Sequence, residues 1–354
     1  MSSELYVFKA EHGDSFLLRT HNLQGDDFVI LIDGGTTNTY TNILREHLKK
    51  YEVIDLLILT HIDSDHIQGI IRFVDSQLFE EIKIKQYWFN SKNIPFLMQG
   101  NEISYSQGTT LEKLLLDKGE PKDKWNESIV LGQTIILDEG IVAEVFSPTE
   151  DLLKRLYQNW PNLPNEYYQV MEDVPIASTS PSQIDKGHLS DLAKIPFDPD
   201  KTPNADIFNS SSIAFLLKTP DRNFLFLGDA RPEIYIQGLR EKGYNENNKL
   251  KVDIVKISHH GSMNNTSVEL MNIIDCEKYI ISTNGGSAKH RLPDRETIAR
   301  IIYNPERVRQ KFPNKRSIFF NYLLDDIQSK AGEFVNKDDL KEGNWEICEN
   351  ISVL

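Results

Sequence analysis

Apolar and polar positions alternate with a period of two at several places along this chain, and between them recur at helical spacing. Leu5-Tyr6-Val7-Phe8-Lys9-Ala10 alternates as a first strand, Glu11-His12-Gly13-Asp14-Ser15 reads as a turn, and Phe16-Leu17-Leu18-Arg19-Thr20 returns as a second strand. Phe28-Val29-Ile30-Leu31-Ile32 forms a third, which runs into Asp33-Gly34-Gly35. Thr41 to Lys50 has helical spacing and would cover one sheet face, with His47 on its surface. Ile54-Asp55-Leu56-Leu57-Ile58-Leu59 is a buried strand, Ile67 to Phe79 the helix after it, and Ile82 to Phe89 alternates as the next strand. Strand, polar loop, helix and strand make a βαβ-like unit, so the pattern predicts a layered α/β fold.

Residues 90–205 have a weaker rhythm. Leu111 to Lys118 reads as a short amphipathic helix, Thr134 to Leu137 and Val142 to Pro148 as a strand pair, and Leu152 to Tyr157 as another short helix. Trp160 to Pro203 is rich in Pro, Ser, Asn and Asp and reads as a long loop or lid. The rhythm returns with strands at Ser210 to Leu217, Asn223 to Leu227, Val252 to Ile257 and Lys278 to Ser282. The last three end in Gly228-Asp229-Ala230, Ser258-His259-His260-Gly261-Ser262 and Thr283-Asn284-Gly285-Gly286. Packing needs alone do not call for three polar clusters at one end of a sheet. Arg295 to Tyr303 reads as a helix, and Ser317 to Tyr322 and Asn344 to Cys348 as closing strands. The expected organisation is a single domain over 1–354, with an insert or lid at 90–205 and a C-terminal extension at 305–354.

Composition narrows the class. With 39% hydrophobic and 26% charged residues the chain reads as globular, and no apolar run approaches the roughly 18–20 residues of a membrane span. The start, Met1-Ser2-Ser3-Glu4-Leu5, lacks a basic and apolar leader, so a cytoplasmic protein is expected. Cys276 and Cys348 do not make a disulfide framework and are expected as buried thiols. A net charge of −14 argues against long, sequence-independent duplex binding and suits a protein partner. It does not exclude a nuclease, because bound metal ions and a local basic rim supply positive field.

The chemistry centres on Thr60-His61-Ile62-Asp63-Ser64-Asp65-His66-Ile67-Gln68-Gly69. Two imidazoles and two carboxylates follow directly on a buried strand, at the edge where layered α/β folds build their sites. Asp65 and His66 open a helix, whose N-terminal dipole favours carboxylates. Such a ligand set suits zinc, manganese or iron better than magnesium. Asp33, at a strand end beside glycines, is placed to accept N–H bonds and brace the ligand loop, or to cap a plain turn. His12 and His188 read as surface histidines.

This stretch resembles the His-x-[His/Asp]-x-Asp-His signature of the metallo-β-lactamase superfamily, in a variant with Asp63 at the second histidine position. That variant, the Gly13-Asp14-Ser15 turn before Asp33-Gly34-Gly35, and His259-His260-Gly261-Ser262 resemble the ComEC-like branch, named for the hydrolase domain of a DNA-uptake channel. A more distant similarity is to phosphorylcholine esterases. The resemblance covers roughly residues 4–90 and 205–300 and implies a four-layered αββα sandwich. It implies metal ligands at His61, Asp63, Asp65, His66, Asp229 and His259, holding one or two Zn²⁺ or Mn²⁺ ions. Asp229 resembles the superfamily's bridging carboxylate, although a helix cap for Ala230 onward is an alternative. Asp65 and His260 are the implied catalytic residues. Sequence does not order the pair His259 and His260. His290 matches a later His-Pro element loosely, as a substrate or metal contact. The superfamily's further histidine between the first signature and the bridging Asp has no clear counterpart here; Asn209-Ser210-Ser211-Ser212 stands where the branch has an Asn/Ser-rich strand start.

The functional expectation is a metal-dependent hydrolase cleaving a phosphodiester, with nucleic acid as the leading substrate class. Hydrolysis of a small ester, lactone or phosphocholine-type substrate is the neighbouring alternative. A reading of another class is a partner-regulated binding module or defence effector on the same scaffold.

Overall fold

A computed structural model describes residues 2–90, 95–96, 109–159, 187–286 and 291–354. Two mixed sheets face each other. The first has strands β1 (Glu4–Val7), β2 (Phe16–His21), β3 (Asp27–Ile32), β4 (Val53–Leu59), β5 (Lys83–Phe89) and β6 (Trp125–Asn126), in that spatial order. Its β1–β3 pairs are antiparallel and its β3–β6 pairs parallel. The second runs from β7 (Thr134–Asp138) through β8 (Ile141–Ser147), β9 (Ala214–Lys218), β10 (Asn223–Phe226), β11 (Ile254–Lys256), β12 (Lys278–Ile281) and β13 (Arg316–Phe320) to β14 (Trp345–Cys348). Here β7–β10 are antiparallel and β10–β14 parallel.

Alternation along the strands separates the layers, because successive side chains point to opposite faces. In the first sheet Phe16, Leu18, Ile30, Ile32, Leu56 and Ile58 face inward, against Val145, Phe215, Leu217, Phe224 and Phe226 of the second. The residues between them, Leu17, Leu31, Leu57 and Leu59, face outward under a helical layer that includes α1 (Ser64–Val74). On the far side Leu216, Leu225, Val255 and Ile281 lie under α2 (Pro232–Glu241) and α3 (Arg295–Ile302). The order is helix, sheet, sheet, helix, as the αββα expectation requires.

Several expected elements end elsewhere. The helix expected over 67–79 is two, α1 and Gln77–Glu81, because Ser76 turns extended and Tyr40 Oη donates to its hydroxyl. The helix expected from Thr41 starts at Thr37 and contains a π-helical turn, Tyr40–Leu44. The strand expected at Ser210 begins at Ala214. Ile207–Ser210 is a helical turn, and the Ser211 hydroxyl donates back to Phe208 O.

Residues 125–147 of the expected insert are strands of the two sheets, and 316–348 of the expected extension holds two more. The chain end also stitches the layers: Ile351 N–H donates to Phe320 O of β13, while Leu5 and Val7 of β1 donate to Leu354 O and Ser352 O. The expected lid residues 160–186 lie outside the described residues, as does His290. Cys276 is buried as expected, whereas Cys348, on the edge strand β14, is only half-buried. Among the described residues no helix is long and apolar enough to cross a membrane.

Candidate metal centre

Every parallel strand that reaches the site does so by its C-terminal end. β3 leads to Asp33, β4 to the loop of His61, Asp63, Asp65 and His66, β10 to Asp229, and β11 to His259 and His260. The backbone there is tightly bent. Asp33, His259 and His260 have φ of 55°, 46° and 51°, a left-handed region costing about 1–3 kcal/mol for a non-glycine residue. Such concentrations of strain occur at functional sites. Contact between the loops is equally close: a Cβ on Gly13 would lie 1.8 Å from Asp65 O, and one on Gly69 1.9 Å from Gly34 O.

The four imidazoles share one design. His66 Nδ1 lies 2.8 Å from Asp33 Oδ2, which also accepts the Thr60 hydroxyl. With the Thr60 proton so committed, Thr60 Oγ1 accepts from His61 Nδ1 at 3.1 Å. His260 Nδ1 donates to Ser282 O at 2.9 Å. Asn265 Nδ2 donates to Asp229 O and Ala230 O, which leaves its Oδ1 to accept from His259 Nδ1 at 3.1 Å. In each ring the proton assigned by these partners sits on Nδ1, so Nε2 carries the free lone pair.

All four Nε2 atoms converge on one oxygen. Asp229 Oδ2 lies 3.8 Å from His61, 3.5 Å from His66, 3.9 Å from His259 and 3.5 Å from His260. His260 Nε2 is 3.4 Å from Asp65 Oδ2, and His61 Nε2 is 3.5 Å from Asp63 Oδ2. These separations are too long for good hydrogen bonds. They match the ~3.3 Å between neighbouring ligands of a tetrahedral ion with bonds of about 2.0–2.1 Å. Among the described residues the Nε2 atoms of His61, His66 and His260 are buried with no hydrogen-bond partner, an arrangement a polar core does not otherwise tolerate. The residues fit a bound metal, in two overlapping sets: His61, His66 and Asp229, and Asp65, His66 and His260.

Electrostatics agree. Burial alone would push the Asp229 carboxyl up, but the imidazoles of His260, His66 and His259 and the Lys256 ammonium together hold it well below the usual range. Asp65 is likewise lowered against burial, by His66, His260 and His12. His66 and His260 are both raised: burial opposes their charge, and Asp229, with Asp33 for His66 and Asp14 for His260, outweighs it. The carboxylates demand positive charge at this point.

Of the residues expected from sequence, His61, Asp63, Asp65, His66, Asp229, His259 and His260 meet around this point, and Asp33 braces His66. Asp229 presents Oδ2 alone to the imidazoles. Its Oδ1 faces the other way, 3.6 Å from Lys256 Nζ. His259 is partly exposed and His260 buried. His188 stands apart, exposed, as the N-cap of Leu189–Leu192. His47 is not on the surface; it is half-buried among Tyr6, Phe8 and Tyr51. The residues sequence reasoning passed over are Asp14, Lys256, Asn265 and Ser282. Asp14 stood in the Gly13-Asp14-Ser15 turn of the resemblance without a role of its own, and Lys256 carried a signal as a lone cation in an apolar strand.

The profile of the metallo-beta-lactamase superfamily matches residues 9–127, which take in β2 to β6 and the loop from His61 to His66. The chain has a metallo-β-lactamase fold. Solved structures similar to this metallo-β-lactamase fold include the metallo-beta-lactamase fold protein YhfI from Bacillus subtilis, with 9% identity, a TM-score of 0.41 and coverage of 99% of this chain and 98% of that one. Zn²⁺-bound PqqB from Methylobacterium extorquens has 9% identity, a TM-score of 0.41 and coverage of 99% of each chain. A metal-dependent hydrolase of the beta-lactamase superfamily, Tm1679, has 10% identity, a TM-score of 0.43 and coverage of 100% and 98%. No curated protein matches the chain.

Proposed function

We propose that this chain is a metal-dependent hydrolase of the ComEC-like kind that cleaves a phosphodiester, with nucleic acid as the leading substrate class. The observation that carries the reading is the convergence of four lone-pair imidazole nitrogens on Asp229 Oδ2, three of them buried without a partner. His61, Asp63, Asp229 and His259 would hold one ion, and Asp65, His66, His260 and Asp229 a second. His259 then takes the place of the ligand that the Asn209-to-Ser212 segment does not supply. Zn²⁺ and Mn²⁺ both suit this mixture of imidazole and carboxylate. The chemistry such ions bring is Lewis-acid polarisation of an ester oxygen and acidification of water.

The protein's own part is positioning. Asp33, Asn265 and Ser282 O fix the ring tautomers and keep each Nε2 lone pair aimed inward. Asp65 is held ionised by the neighbouring imidazoles, so it stays a hydrogen-bond acceptor that would orient the attacking water. Two adjacent ligand sets, if both were filled, would suit an in-line displacement at phosphorus, where attacking and leaving oxygens both need stabilisation.

The test is metal analysis of the purified protein together with hydrolysis of bis(p-nitrophenyl) phosphate, in wild type and in Asp65→Ala and Asp229→Ala. Bound metal and activity are expected in wild type, with activity lost in both variants. Single- and double-stranded DNA and RNA follow as substrates. Bound metal with hydrolysis of p-nitrophenyl acetate but not the phosphodiester would move the substrate to small esters. Wild type without metal would overturn the enzyme reading in favour of a binding module.

A further inference from the structure

Behind the imidazole cluster lies an ion pair that ligand geometry alone does not require. Lys256, the last residue of β11, and Asp14, in the turn between β1 and β2, are each 1% exposed and in direct contact with each other. Burial opposes the charge of both, yet each overcomes it: the Lys256 ammonium holds the Asp14 carboxyl low, and Asp14 and Asp229 hold Lys256 high. A buried ion pair is costly to desolvate, and a well-packed apolar pair of similar volume is often more stable. Its retention therefore asks for a reason beyond stability.

The reason lies in what the pair touches. Lys256 Nζ donates to Gly228 O at 2.9 Å and sits 3.6 Å from Asp229 Oδ1, an oxygen with no hydrogen bond of its own. Asp14 Oδ1 is 3.5 Å from His260 Nδ1, and the Asp14 backbone N–H reaches Asp65 O at 3.3 Å. The ion pair thus lies beside Asp229 and His260 of the second sheet, while the Asp14 backbone holds the Asp65 loop of the first.

We propose that the Lys256–Asp14 pair is a positioning device for the metal ligands. The Lys256 charge draws Asp229 by Oδ1 so that Oδ2 faces the imidazoles, and the Asp14 charge lies beside the His260 ring from the turn that holds the Asp65 loop. The inference rests on the metal-site reading given above.

The double variant Asp14→Asn/Lys256→Met tests it, since it removes both charges with little change of volume and leaves neither unpaired. Zn²⁺ alone is titrated into metal-free protein, and the visible spectrum of the Co²⁺-loaded form reports ligand geometry. The expected result is an unchanged circular dichroism spectrum without metal, Zn²⁺ affinity weakened ~10- to 100-fold, and an altered Co²⁺ spectrum. Affinity and spectrum equal to wild type overturn the proposal and leave the metal-site reading standing. Wild type that binds neither ion removes both. Should the double variant fail to fold, Lys256→Met alone serves. Charge alone would tighten Zn²⁺ binding there, so a weakening supports positioning, and an unchanged or tighter affinity overturns it.

Discussion

Asp33 accepts three donors at once: the Thr60 N–H at 2.8 Å, the Thr60 hydroxyl at 2.7 Å and His66 Nδ1 at 2.8 Å. Replacing it by Asn would put an amide donor against one of these and free the His66 ring. Asp33→Asn is therefore expected to weaken Zn²⁺ binding ~10- to 100-fold while the fold survives, read by titration of the metal-free protein. Asp33 was legible as a brace because it ends an apolar strand beside two glycines. The roles of Asn265 and Ser282 were not, since both depend on left-handed turns at His259 and His260 that bring both rings to Asp229 from adjacent positions. Residue order alone does not show which of two adjacent imidazoles turns inward. The Asp14 partner of Lys256 was hidden for a related reason: the pair is distant in sequence and meets only when the sheets do.

At the scale of elements, α1 sits on the loop after β3 backbone to backbone. Gly34 N–H donates to His66 O and Gly69 N–H to Gly35 O, with no room for a side chain between them. Alanine would normally favour a helix by about 1 kcal/mol over glycine. Here the packing term wins: Gly69→Ala is expected to destabilise the protein by about 3 kcal/mol, measured by urea unfolding. The helix near β1 offers a separate test. His47 is caged by Tyr6, Phe8 and Tyr51, and burial pushes its imidazole down to about 4. The unfolded chain takes up this proton near pH 6.5. The stabilisation is thus complete above pH 6.5, falls as pH drops towards 4, and is flat below. Half-exposure reduces it to about 1–2 kcal/mol. His47→Phe should flatten the stability curve in that window alone. Elements with a strong period, such as β4 and α3, were legible in the sequence. The Ser211-Ser212 start of β9 was misread because hydroxyl bonds to nearby backbone compete with strand pairing.

For the whole molecule, charge and topology set the terms. A net charge of −14 repels a polyanion at long range, and salt screens that repulsion. Cleavage of single-stranded nucleic acid at low substrate is expected to rise from low to physiological salt, while a neutral ester stays level. A steep fall with salt would instead reveal a basic rim around the mouth of the site. The αββα layering was legible because strand alternation declares both faces. The strands at 125–147 and 316–348 were assigned to an insert and an extension because a period of two shows that a segment is a strand and not which sheet it joins. The topology also divides the proposed ligands: His61, Asp63, Asp65 and His66 belong to the first sheet, and Asp229, His259 and His260 to the second. During synthesis the early half leaves the ribosome with His61, Asp63, Asp65 and His66 alone, and without Asp229. Cofactor loading must therefore wait until β11 and the turn after it have been made and docked. A chain cut short before that point would lack part of the proposed site, so under that reading a truncated product stays inert in the cell.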